Sequence, residues 1–168
     1  NMKLSLYGLA TFAGEKCKNG NKIAVISDVH IAFRDKNNGT GWFSGRYPGM
    51  LTIILNKIAM DKNINRLIIN GDFFDTWLCP ANRKPFNNAK EIIEQWKDAP
   101  FISALKNCIQ LCDEVWYIPG NHDMGITQND LNAIVSENGK TMILKEPGTY
   151  SIDKLYNKPN NKCKIHFE

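Results

Sequence analysis

Three short apolar runs, each closed by a polar cluster, punctuate the chain. Residues 22–27 (KIAVIS) are β-branched and compact and end at Asp28, the pattern of a strand buried on both faces. Residues 66–70 (RLIIN) end at Gly71, and residues 114–119 (EVWYIP) end at Gly120. Between them the period lengthens. Residues 50–61 (MLTIILNKIAMD) place apolar side chains on one helical face, with Pro48 at a position a helix tolerates in its first turn. Residues 87–97 and 101–112 read as two helices separated by Pro100, and residues 127–137 as a further helix. Strand and helix thus alternate, which predicts an α/β layer with a parallel sheet. After Gly139 the pattern changes to short strands at residues 142–144, 149–152 and 163–167, with Asn157-Lys158-Pro159-Asn160 as a turn between the last two. These suggest a second sheet packed on the first.

Composition narrows the class without naming a chemistry. The 168 residues suffice for one independent core, and one domain is expected across 1–168. Hydrophobic residues at 43% and charged residues at 23% are ordinary for a globular protein. The net charge of +4 is spread along the chain, so no basic block argues for nucleic-acid binding. The cysteines Cys17, Cys79, Cys108, Cys112 and Cys163 have no disulfide-framework spacing. Cys108 and Cys112 share a helix face and are expected to be buried thiols rather than a zinc pair. Residues 4–13 are mostly apolar and fit a first strand or a weak signal-peptide core. With no apolar run of 18 residues or more, a membrane span is not expected and the cytoplasm is the default compartment.

The polar clusters fall where each buried strand ends, the edge at which open α/β sheets bind ligands. Asp28 and His30 sit two apart, so an extended backbone would aim both side chains one way. A carboxylate beside an imidazole suits Mn, Fe or Zn, and two ions about 3.5–4 Å apart can clamp a phosphate ester. Asp72 follows a glycine that permits a sharp turn, and its two oxygens suit it to bridge two ions. Asn121 offers a neutral amide oxygen. His122 is placed to act as general acid or to bind phosphoryl oxygens, with Asp75 or Asp123 to orient its ring. Taken singly, each cluster also reads as an ordinary solvated turn. All three in order, each at a strand end, do not.

Asp28-Val29-His30, Gly71-Asp72-Phe73-Phe74-Asp75 and Gly120-Asn121-His122-Asp123 together resemble the calcineurin-like metallophosphoesterase family, whose motifs run D-x-H, G-D-x-x-D and G-N-H-[DE]. The resemblance covers residues 22–125. It implies a layered metallophosphoesterase-like β-sandwich flanked by helices. It also implies hydrolysis of a phosphoester bond by a hydroxide that two divalent ions activate, Mn foremost, with Fe, Zn or Ni as alternatives. By the same resemblance Asp28, His30, Asp72 and Asn121 hold the ions, Asp72 bridging. His122 serves the leaving oxygen or the transition state, with Asp75 as its partner.

Two later histidine motifs of that family, often His-Gly and then Gly-His-x-His, are not present in these 168 residues. The remaining histidine, His166, reads as a strand residue ahead of where they would stand, and the chain is expected to be an N-terminal portion of a longer enzyme. The stretch from Gly71 to Trp77 also resembles the G-D-x-F-D-x-W variant of UDP-2,3-diacylglucosamine hydrolases, although those carry Arg where this chain has His122. Residues 32–47 and 78–86 follow metal motifs directly and should border the pocket, where Arg34, Arg46 or Arg83 could hold a second anion. The expected partner is a phosphorylated small molecule. A metal-dependent nuclease and a non-catalytic binding module are the alternatives.

Overall fold

In the computed structural model, which describes residues 22–34, 42–78, 89–151 and 164–167, the three apolar runs lie side by side as parallel strands. The elements are β1 (Lys22–Ile26), α1 (Tyr47–Met60), β2 (Ile64–Asn70), α2 (Ala89–Trp96), α3 (Pro100–Leu111), β3 (Glu114–Ile118), α4 (Gln128–Leu131), β4 (Ile143–Leu144), β5 (Gly148–Ser151) and β6 (Lys164–Phe167). The main sheet has the order β1-β2-β3-β4, parallel throughout. Its register is level at the C-terminal edge. Ile26 lies beside Ile69, and Asn70 beside Ile118. The segments that follow β1, β2 and β3 therefore emerge next to one another.

Alternation along each strand divides the core in two. Ala24, Ile26, Leu67, Ile69, Val115 and Tyr117 face the helices, where Leu51, Ile54, Leu55 and Ile58 of α1 meet Phe101, Ile102, Leu105, Cys108 and Ile109 of α3. Both helices carry a proline at the start of their first turn, Pro48 and Pro100, with no side-chain cap. Proline lacks the amide that would otherwise need a partner there. Trp96 closes the far side of this core, its indole N–H donating to the Ala32 carbonyl at 2.8 Å and its ring packed against Phe43 and Phe101. The opposite face of the sheet, Ile23, Ile68, Trp116 and Ile118, is covered by Tyr150, Ile165 and Phe167 of β5 and β6. These two strands pair antiparallel as a second small sheet.

Two expectations change. Residues 142–144 do not open the second sheet; Ile143 and Leu144 join the first as its edge strand beside β3. The Gln128 side chain fixes them there, donating to the Met142 carbonyl at 2.8 Å and accepting from the Leu144 amide at 2.9 Å. The helix expected over residues 127–137 is a single turn. Thr127 and Asp130 form a reciprocal capping box that starts it. The backbone then tightens to i→i−3 bonds, Ala133 to Asp130 and Ile134 to Leu131; further on, the Ser136 hydroxyl donates to the Lys140 carbonyl at 3.0 Å and Gly139 turns the chain at φ +81°. Local side-chain bonds of this kind compete with helix continuation.

Residues 4–13, the turn at 157–160, and Cys17, Cys79 and Cys163 lie outside the described residues. Among those described, no helix is long and apolar enough to cross a membrane. Cys108 and Cys112 are free and buried, as expected. Cys108 donates to the Leu55 carbonyl at 3.1 Å, across the α1–α3 contact. Burial pushes both thiols upward, Cys112 to about 11. Since the thiolate is the reactive form, iodoacetamide at pH 8 should leave both unmodified in the native protein and alkylate both after denaturation. Peptide mapping reads the result, and native labelling of Cys108 would contradict this packing.

Candidate metal centre

Beyond Ile26 the backbone does not stay extended, as the spacing of Asp28 and His30 had suggested. Both residues adopt left-handed conformations, φ 55° and 54°, while Val29 between them is buried in the core. Asp72 does the same at φ 52°. Left-handed backbone at a residue with a Cβ costs about 1–3 kcal/mol and persists only where the surroundings impose it. Here they do. The Asp28 amide donates to the Gly71 carbonyl at 3.2 Å, His30 to Asp72 at 2.8 Å and Ile31 to Phe73 at 2.8 Å. Asp75 returns a bond to the Ile31 carbonyl at 2.8 Å, and Ile31 pairs with Phe74 as an isolated parallel bridge. The segments after β1 and β2 are thus laced together beyond the sheet. The result gathers one ligand atom each from Asp28, His30 and Asp72 within 4.8 Å of one another.

The third segment is drawn in by Asp72 itself. Its Oδ1 accepts from the His122 amide at 2.9 Å. That approach leaves no room at Gly120: a Cβ there would stand 2.4 Å from Asp72 Oδ1 and 2.8 Å from the Asp72 nitrogen. Gly71, at φ +79°, faces Gly120 across the same gap. The two glycines therefore do different work, Gly71 by its conformation and Gly120 by its lack of a side chain. Asn121, next along, is exposed.

Asp75 holds two imidazoles at once. His30 Nδ1 donates to its Oδ2 at 3.2 Å. His122 Nδ1 lies 3.1 Å from its Oδ1, a close contact outside the alignment of a hydrogen bond. The amides of Trp77 and Leu78 also donate to Oδ1, each at 3.0 Å. Burial opposes the Asp75 charge, but His122 and these two amides outweigh it and hold the carboxyl below its ordinary range. With both Nδ1 atoms turned to Asp75, both Nε2 atoms would remain for other partners. The His122 ring meets that of His30 edge-on at 4.8 Å, and its face is stacked by Trp77 at 4.4 Å. The link from Asp75 to His30 spans 45 residues, and no local spacing announces it.

Asp123, considered as an alternative partner for His122, is instead the fastening of the site. Fully buried, its Oδ2 accepts from the amides of Phe73 (3.0 Å) and Phe74 (3.3 Å) and from the Tyr117 hydroxyl. Its Oδ1 accepts from the Gly120 amide at 2.6 Å. Burial pushes the Asp123 carboxyl upward, against the pull of these donors, and pushes the Tyr117 phenol upward as well. Thr76 adds a second tie, donating from its hydroxyl to the His122 carbonyl at 2.7 Å.

The arginines divide. Arg34 is committed to the end of α2. Its guanidinium donates to the Gln95 carbonyl at 3.1 Å, pairs with Asp98 and lies over the Trp96 ring at 4.9 Å. These contacts hold Arg34 against α2, at Gln95, Trp96 and Asp98. Arg46 is exposed at the N-cap of α1. Arg83 lies outside the described residues. His166 sits exposed on β6, its Nδ1 2.9 Å from the Thr149 hydroxyl, a strand residue as expected.

Two substitutions test this geometry. Asp123→Ala strands at least two buried amides and a phenol, and unsatisfied buried donors cost about 1–3 kcal/mol each; urea unfolding should show a loss of that order or more. Gly120→Ala should be destabilising through its clash with Asp72. His122→Ala, by contrast, should change unfolding stability by less than about 1 kcal/mol. A stable Asp123→Ala protein would contradict the fastening role.

A family profile, calcineurin-like phosphoesterase, matches residues 21–166. No curated protein matches the chain. Among solved structures the chain is similar to the Pseudomonas putida nuclease MPE, at 14% identity and TM-score 0.44, over 74% of this chain and 48% of that one. The chain therefore spans about half the length of that structure, and the likeness is too distant to carry an argument. The family match spans nearly the whole sequence, and the chain belongs to the calcineurin-like phosphoesterase family.

Proposed function

We propose that this chain hydrolyses a phosphoester of a small molecule using two divalent ions held by Asp28, His30, Asp72 and Asn121, with Asp72 shared between them. The observation that carries the reading is the gathering of Asp28, His30 and Asp72 within 4.8 Å, all three on left-handed backbone. Strain at three polar residues with no packing benefit of their own is a mark of a functional site. The donor set fits the group: two carboxylates and one imidazole, with Asn121 exposed on the turn just before His122, suit Mn foremost, then Fe, Zn or Ni. When bound, such ions polarise phosphoryl oxygens and lower the pKa of a water.

The remaining work falls to side chains. His122, turned by Asp75, would present Nε2 to the phosphoryl or leaving oxygen and deliver the proton that the departing alkoxide needs. Asp75 would keep both His30 and His122 in one tautomer, so that ion binding and proton delivery share a single orienting carboxylate. Trp77 would hold the His122 ring against rotation. A non-catalytic use of this fold would have no need for the strain at Asp28, His30 and Asp72.

The test is turnover of p-nitrophenyl phosphate and of its bis-ester, after chelation and after addition of Mn, Fe, Zn or Ni. Metal-dependent release is expected. His122→Ala should lower kcat by about 100-fold or more, the usual worth of a general acid, and Asp72→Asn should abolish metal dependence. No turnover with any metal would move the reading to a binding module.

A further inference from the structure

The cleft beside His122 is open, of about 440 Å³, and is lined by Trp42, Asp75, Trp77, Leu78 and His122. Its size falls within the range of about 300–1,000 Å³ typical of small-molecule sites. Two of its walls are indoles left in solvent, Trp42 at 77% exposure and Trp77 at 57%. The chain's other two tryptophans are buried, Trp96 at 0% and Trp116 at 5%. Two large aromatic surfaces exposed on one cleft, beside a candidate proton donor, are not explained by packing. Trp77 has one face against His122, nearly parallel at 28°.

We propose that Trp42 and Trp77 form a stacking platform for the planar base of a nucleotide-type phosphoester, whose phosphoryl group then lies at His122 and the metal centre. The inference rests on the hydrolase reading above and adds the class of substrate. A base offers a π-face and needs no hydrogen-bond partner to be held by stacking. A sugar ring would need partners for its hydroxyls. Among the described lining residues the polar groups besides the two indole N–H donors are Asp75 and His122, which already face each other. With no described group to read the base edge, purines and pyrimidines should be accepted with little discrimination.

The two exposed tryptophans also supply the probe. Because Trp96 and Trp116 are buried, quenching of tryptophan fluorescence by a ligand reports on Trp42 and Trp77. Adenosine monophosphate and ribose 5-phosphate, which differ by the base alone, are titrated into the protein with Mn and with chelator. The platform predicts that the nucleotide binds about tenfold tighter, with cytidine monophosphate within a few-fold of it. Trp42→Ala should erase that advantage and Trp42→Phe should retain most of it; at an exposed position neither change threatens folding. Equal affinity for the two ligands, or an advantage that survives both Trp42→Ala and Trp77→Ala, overturns the proposal. The two readings fail separately. Base selectivity in binding without turnover of any ester keeps the platform and sinks the hydrolase; turnover with equal affinities does the reverse.

Discussion

The Asp123 carboxylate is taken out of water at the ends of β2 and β3, and everything at that edge depends on how its charge is met. The amides of Phe73, Phe74 and Gly120 and the hydroxyl of Tyr117 all donate to it. A buried carboxylate cannot give up such partners without a large penalty. The turn after β2 and the turn after β3 are therefore joined at a fixed separation. That separation brings Gly120 against Asp72, where only glycine fits. It also lets Asp72 accept from the His122 amide. The order of cause runs from a buried charge, to two joined turns, to the placing of the side chains that face solvent.

The second constraint is local and opposes the first in sign. Three residues with left-handed backbone sit within the same few ångströms, each at a cost that packing alone does not return. The level register of β1, β2 and β3 brings their ends together, and the bonds from Asp28, His30 and Ile31 to the segment after β2 hold the strain in place. The outcome is a rigid edge from which carboxylate and imidazole groups project toward a shared point. Asp75, held ionised by His122 and two amides, orients both imidazoles from beneath.

Much of this was legible in the sequence, and the reasons are particular. The buried parallel strands showed because KIAVI, RLIIN and EVWYI are continuous apolar runs, and the polar residue after each marked the sheet edge. What failed did so through long-range or competing bonds. The extended backbone expected at Asp28 and His30 gave way to left-handed turns because the partners of their amides lie more than forty residues away. The helix expected over residues 127–137 stopped after one turn, its backbone bonds shifting to i→i−3 at Ala133 and Ile134. The partners of Arg34, Gln95 and Asp98, are on and just beyond a helix sixty residues on, and no local pattern announced them. Asp123 was visible as a motif residue and a candidate partner for His122; its burial follows from Tyr117 and from the turn after β2, which no local pattern links to it.

The account's central claim is that the strain at Asp28, His30 and Asp72 serves the binding of divalent ions. Its most direct test is urea unfolding with saturating Mn and with chelator, for the protein and for Asp72→Asn. A ligand that binds the folded state alone stabilises it by about 2.7 kcal/mol at a hundredfold excess over Kd. The account predicts a stabilisation of that order in the protein and little or none in Asp72→Asn. Equal stability with Mn and with chelator would contradict it, and so would a gain that persists unchanged in the variant.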